Sequence, residues 1–187
     1  MKERPLRPNK EGDHVDVEEL VRRAVQERDP EAFVQLCEYY RQDMLKVARS
    51  FCLPEADTAD VLQETILSCW ENLGKIREPN YFKTWLIRIV INKARDARRR
   101  QQRYVYTEQP ETGSCEDRSD LEFRELMQCL DEKYRTVLVL YYAEGYSTTE
   151  IAELLDLSVP AVKSRLQRGR DQFRREYTKQ DGGVDYA

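Results

Sequence analysis

The apolar positions of this chain fall into runs with helical spacing. Asp16 is placed to cap a first helix reaching about Arg28, with Val17, Leu20, Val21, Ala24 and Val25 on its apolar side. Asp29-Pro30 closes it and opens a second, because proline is favoured at the first helical position. That second helix is expected to run unbroken from Glu31 to about Cys52, burying Phe33, Leu36, Cys37, Tyr40, Met44, Leu45, Val47, Ala48 and Phe51. Pro54 marks a turn. A third helix, from about Glu55 to Leu73, should turn Leu62, Ile66, Cys69, Trp70 and Leu73 to the core and stop at Gly74. After the loop GKIREPNYF, a long helix runs from near Phe82 to about Gln101, with Leu86, Ile89, Val90, Ala94 and Ala97 inward.

The periodicity then lapses. Residues 103–118 hold one proline, one glycine and several acids, which reads as a flexible acidic linker too polar to pack. Ser119 with Glu122 forms a capping-box pair opening a helix to about Leu130. Asp131 is placed to cap the next, EKYRTVLVLYYAEG, with Gly145 as its C-terminal stop. The expected fold is all-α: two small helical domains, 16–102 and 119–177, between a disordered leader (1–15) and a fraying tail (178–187).

The stretch Tyr146–Arg175 carries the densest set of signals. Ser147 and Glu150 form a capping box, and Ile151, Ala152, Leu154 and Leu155 give a short helix its buried side. Asp156-Leu157-Ser158 interrupts, Ser158 caps again, and Pro160 is tolerated because it lies in a first turn. Val162, Leu166, Gly169 and Phe173 then form an inner face. Pro160, Ala161, Ser164, Gln167 and Arg168 lie opposite, flanked by Lys163 and Arg165. A short helix, a tight turn and a second helix with a basic outer face make a helix-turn-helix, whose second helix suits the DNA major groove.

Charge changes the picture only through its distribution. The net charge of −4 argues against a nucleic-acid binder taken whole. Yet Asp57, Asp60, Glu64 and Glu71 stand in a stretch without Lys or Arg, whereas Lys93–Arg103 holds six cations against Asp96. Asp60, Gln63, Glu64, Leu67 and Glu71 lie along one side of the third helix, which is either a solvated acidic face or a docking surface for a basic partner helix. Arg88, Asn92, Arg95 and Arg99 form one narrow stripe on the long helix, suited to phosphates and bases. Tyr81, Phe82 and Trp85 open that helix beside Lys83; they are either a stacking surface for a single-stranded base or, for Phe82 and Trp85, part of the core, with Tyr81 the better candidate for exposure. The five cysteines are widely spaced and read as core filler, and the single histidine, His14, leaves no histidine-based triad or metal site. No cofactor is implied. No apolar run is long enough for membrane insertion and no signal peptide opens the chain, so a cytoplasmic location is expected.

These residues resemble the extracytoplasmic-function (ECF) group of bacterial sigma-70 factors, over about Asp29 to Tyr177. DTADVLQETILSCWENL resembles the core-polymerase-binding helix, FKTWLIRIVINKARDARRR the −10 element helix, and LDEKYRTVLVLYYAEGYSTTEIAELLDLSVPAVKSRLQRGRDQFR the −35 element domain. The resemblance implies that Asp57, Asp60, Gln63, Glu64, Leu67 and Glu71 dock on the β′ clamp helices of core RNA polymerase, with the β flap a further polymerase contact of the chain. It implies that Lys75, Arg77, Asn80 and Tyr81 capture a flipped base of the −10 strand, while Lys83, Arg88, Asn92, Arg95, Arg98 and Arg99 hold the strand and the adjoining duplex. Ser164, Arg165 and Arg168 would read the −35 element, with Ser147, Thr148, Pro160 and Ala161 beside them and Lys163 and Arg170 on phosphates. It further implies an anti-sigma factor as partner and no catalysis within the chain. The competing reading is a free-standing helix-turn-helix regulator that binds duplex operator DNA, usually as a symmetric dimer. A sigma-like adaptor without promoter activity stays open too. An enzyme would need a clustered nucleophile, base or metal set, and the sequence offers none.

Overall fold

A computed structural model describes residues 16–76, 78–104 and 127–180. The leader, the linker from residue 105, the Ser119–Glu122 pair and the last seven residues lie outside the described residues, as does Arg77. The described residues are helical, with no strand among them, and none of their helices is long and apolar enough to cross a membrane.

Helix α1 (Val17–Gln26) begins where Asp16 accepts from the Glu19 N–H at 3.1 Å. Asp29 accepts from the N–H groups of Glu31 and Ala32, with Pro30 as first residue of α2 (Pro30–Tyr39). The helix expected to continue to Cys52 is instead two, for α3 (Arg41–Arg49) starts afresh after Tyr40. No glycine or proline marks the break. Tyr40 leaves helical geometry while its ring is buried, 4.9 Å from that of Tyr39 and 5.8 Å from that of Phe82. Tertiary packing sets that bend.

Helix α4 (Glu55–Asn72) is turned relative to the expectation. Thr58, Val61, Thr65 and Cys69 are its buried residues, and Leu62, Ile66 and Trp70 are only partly buried. The cause is at its C-terminal end. Trp70 packs against Phe33 at 5.1 Å, and Arg28 covers its ring at 5.6 Å while donating to its carbonyl at 2.8 Å. Gly74 does not stop the chain abruptly, because a 3₁₀ turn spans Leu73–Lys75. A second such turn, Pro79–Tyr81, leads into α5 (Phe82–Tyr104), which exceeds the expected end at Gln101. Phe82, Leu86, Ile87, Val90, Ile91 and Ala94 seat α5 against α3 and α4.

In the described part of the C-terminal domain, Met127 and Gln128 are helical and α6 (Glu132–Leu138) follows. Asp131 precedes it but makes no side-chain cap, and pairs instead with Lys133 at 3.4 Å. The helix widens into a π turn at Val139–Ala143, where the Glu144 N–H reaches the Val139 carbonyl, and Gly145 ends it at φ 70°. Ser147 and Glu150 form the expected reciprocal capping box on α7 (Thr148–Leu155). Asp156 turns the chain in the left-handed region, and Ser158 accepts from the Ala161 N–H at 3.3 Å to open α8 (Val159–Gln180). Thr178–Gln180, expected to fray, are part of that helix.

Gly169 lets α8 lie close on α6. A Cβ there would stand 3.0 Å from Leu138 Cδ1 and 3.2 Å from Tyr134 Cβ. Gly169→Val adds two further carbons at the contact, so it should cost about 1–3 kcal/mol of stability. Thermal melting of the variant checks this, and an unchanged midpoint would show that the two helices can part freely.

Candidate nucleic-acid interface

The acidic side of α4 is open. Asp60, Gln63 and Glu71 are exposed and Asp57 is half-buried. Leu67 is 64 % exposed in their midst. Glu64 alone is engaged, 3.4 Å from Lys93 and 3.4 Å from Arg100 on the neighbouring α5. Those bonds hold it at the border between the acidic helix and the basic one.

The residues predicted to hold a single strand do not share one state. Lys75, Asn80 and Tyr81 are exposed, Tyr81 by 56 %. Asn92 and Arg99 face solvent on α5, Arg99 loosely paired with Asp96 at 3.5 Å. The rest of the stripe touches the C-terminal domain, with Arg88 still exposed. Arg88 donates to the Glu153 carbonyl at 3.1 Å and Arg95 to the Leu155 carbonyl at 3.2 Å, both at the C-terminal end of α7. Arg98 lies 3.4 Å from Glu132 and bonds Gln101. Lys83, also predicted as a strand contact, is partly buried. Its Nζ lies 2.7 Å from Asp43 and 3.0 Å from Glu144, with the Tyr146 ring beside it.

Sequence reading missed the groups that complete this seam. The Glu144 side chain is fully buried between the domains, with Lys46 a further 3.9 Å away. Burial pushes its carboxyl above the ordinary range, and Lys83 opposes that rise. For Lys83, burial would depress the ammonium, yet Asp43 and Glu144 together hold it above the usual lysine value. Arg135 is 4 % exposed and donates to Ser50 O at 2.6 Å, across the domain boundary, and to Met127 O and Leu130 O. Nothing in the local spacing of these residues could have revealed partners some 60 to 85 positions away. The one available hint was Arg135 itself, a cation inside the apolar run that begins at Tyr134.

The helix-turn-helix keeps its outer face open. Pro160, Lys163, Ser164, Gln167 and Arg168 are exposed, while Ala161 and Arg165 are half-buried. Arg170 is exposed and bonds Gln167 Oε1 at 2.8 Å. Ser147 is committed to its capping box, with Thr148 half-buried next to it.

An acidic helix beside a basic one, followed by a helix-turn-helix, describes a helical DNA-binding protein of transcription. The sigma-70 region 2 family model matches residues 36–104, and the sigma-70 region 4 model matches residues 120–173. The RNA polymerase sigma factor NccH of Alcaligenes xylosoxydans xylosoxydans is 36 % identical over 168 residues, covering 82 % of this chain and 90 % of NccH. The sigma factor CnrH of Cupriavidus metallidurans is 32 % identical, covering 74 % and 83 % of the two chains. CnrH solved with the cytosolic domain of CnrY has a TM-score of 0.66 at 30 % identity, over 88 % of this chain and 99 % of that one. The sigma factor RpoE of Bartonella quintana, solved with the anti-sigma factor NepR, has a TM-score of 0.71 at 20 % identity, over 82 % and 98 %, a likeness of fold. This chain belongs to the ECF group of the sigma-70 family and is an RNA polymerase sigma factor. Such proteins bind core RNA polymerase and promoter DNA, and are initiation factors rather than enzymes. Two sigma regions in this order are not what a lone operator-binding regulator would carry.

Proposed function

We propose that the surfaces divide the work as follows. The 16–102 domain docks on core polymerase through Asp60, Gln63, Leu67 and Glu71, with Asp57 and Glu64 at the edges. Its 3₁₀ turn and the start of α5 take the −10 strand. Lys75, Arg77, Asn80 and Tyr81 receive a flipped base, and Arg88, Asn92, Arg95, Arg98 and Arg99 hold the backbone and the duplex upstream. Lys83 belongs to the same set, with Asp43 and Glu144 as its ion-pair partners in this structure. The domain of 119–177 reads the −35 element with Ser164, Arg165 and Arg168, while Lys163 and Arg170 hold phosphates. Residues 103–118 link the two. The chain works in the cytoplasm, and the chemistry of nucleotide transfer belongs to the polymerase. An anti-sigma factor is the natural regulator, because the RpoE homologue was solved with one.

The observation that carries this reading is Leu67, a bare leucine ringed by acids on a helix whose other faces are packed. Leu67→Asp should leave stability within about 0.5 kcal/mol, as expected for an exposed position. It should weaken core binding by more than about 1 kcal/mol if Leu67 is a docking anchor. Co-elution with bacterial core polymerase, then run-off transcription from promoters selected out of a random pool, tests both parts. A variant that binds core as the parent does would sink the assigned docking face.

A further inference from the structure

We propose that α1 and Arg28 form the platform that holds the two 3₁₀ turns, Leu73–Lys75 and Pro79–Tyr81, in the shape that receives the strand. Arg28 is then a positioning residue for base capture by Lys75, Asn80 and Tyr81. The turns have little of their own to hold them. Each is three residues long, with the Ile76 N–H reaching the Leu73 carbonyl at 3.2 Å and the Tyr81 N–H reaching the Glu78 carbonyl at 3.1 Å. Hydrogen bonds of the 3₁₀ kind have poorer geometry than those of an α-helix, so short runs like these take their shape from what packs on them. Leu73 and Phe82 anchor the ends, 0 % and 1 % exposed, while Lys75, Asn80 and Tyr81 stand out between them.

Two features supply the hold from outside. Helix α1 packs against both turns at once, burying Val17, Leu20, Val21 and Ala24. Just past its end, Arg28 adopts the left-handed region at φ 54°. Its guanidinium reaches the far end of α4, donating to Trp70 O at 2.8 Å and lying 5.6 Å from the centre of the indole ring. The same Trp70 carbonyl accepts from the Leu73 N–H. The guanidinium therefore sits where α4 gives way to the first turn, and a cation there complements the partial negative charge of a helix C-terminus. Arg28 is itself exposed, so its loss should hardly move the melting midpoint. Its contact with the junction serves local placement rather than folding. A loosened platform leaves the turns partly in shapes that read no base. A strand held only by its phosphates on α5 does not need the turns, so a mismatched strand keeps its affinity while the matched strand loses it. The size of that loss is the fraction of turns left competent.

The proposal rests on the reading of these turns as the base-capture site, and the test keeps the two apart. The full-length protein is used with core polymerase in excess, so that weaker docking does not count as weaker capture. The probes are single strands carrying the −10 element of a promoter selected from the random pool, and the same strands with one base changed at each position in turn. The readout is the ratio of matched to changed affinity. Arg28→Ala should lower that ratio at the captured position by about fivefold or more, with the changed strands bound as before. Arg28→Lys keeps a cation that can reach the carbonyl and should recover part of the loss. Leu20→Ala should lower the ratio at the same position. Val47→Ala, which truncates the buried face of α3, should lower the melting midpoint and leave the ratio alone. A parental ratio in Arg28→Ala, or a loss in Val47→Ala equal to that in Leu20→Ala, overturns the platform. Tyr81→Ala decides the underlying reading: if it too keeps the parental ratio, these turns capture no base and the platform falls with them. If Tyr81→Ala loses the ratio and Arg28→Ala does not, the capture site stands and the platform alone falls. Should Leu20→Ala fail to fold, Arg28→Ala decides by itself.

Discussion

Arg135→Ala should lower stability by about 3 kcal/mol, because the cost combines lost charge-assisted hydrogen bonds with carbonyls left buried and unpaired. Arg135 is almost wholly enclosed and donates to Ser50 O at 2.6 Å, Met127 O at 2.8 Å and Leu130 O at 3.0 Å. These carbonyls belong to two domains, so one side chain closes the start of the second domain and also fastens it to the first. Burial holds the guanidinium below its ordinary value, yet arginine stays charged at any physiological pH. A loss of that size should shift the melting midpoint by roughly 6–12 °C in a chain of this length. Arg135→Lys keeps the charge and loses the fork, so it should recover only part of the difference. Calorimetry on both variants decides. A shift of only a degree or two for the alanine variant would mean that water replaces the guanidinium without cost.

The second large effect is expected at the promoter. Arg168 is exposed on the outer face of α8, one turn beyond Ser164. If it bonds a base edge, Arg168→Ala should cost about 1–3 kcal/mol at the matching −35 position and relax the preference there. Lys163→Ala supplies the contrast. A phosphate contact is lost alike on every sequence, and the salt dependence of binding should flatten by about one ion. Competition between a selected promoter and single-base variants, with holoenzyme at several salt concentrations, separates the two. If Arg168→Ala weakens all sequences equally, its role is backbone positioning, and Arg165 becomes the residue to test next.

Much of this was legible along the chain, and the reason is locality. Asp16, Asp29, Ser147 and Ser158 announce helix starts by bonding N–H groups two or three residues ahead, and Gly145 announces a stop through a backbone angle of its own. Such devices sit within a few residues of what they control. The break at Tyr40 has no such device and answers to Phe82, far along the chain. The rotation of α4 likewise answers to Arg28 and Phe33 at its far end, so Thr58 and Thr65 are buried where the pattern of leucines had pointed elsewhere.

The site was legible as a set of helices but not as a set of states. Spacing placed Arg88, Asn92, Arg95 and Arg99 on one stripe, and they do share a helix. Their occupation by α7 carbonyls depends on two segments some sixty residues apart. The same holds for Lys83, an ordinary surface lysine by its neighbours in sequence and a partly buried ion pair by its neighbours in space.

The two tryptophans of the chain happen to stand on the two helices that matter most. Trp70 lies partly buried at the end of α4 with a guanidinium over its ring, and Trp85 lies partly buried near the start of α5, 6.1 Å from Phe82. The molecule therefore carries its own pair of optical gauges. One reports on the acidic helix and the other on the basic one, so emission from single-tryptophan versions can follow changes at the two surfaces separately, without any attached dye.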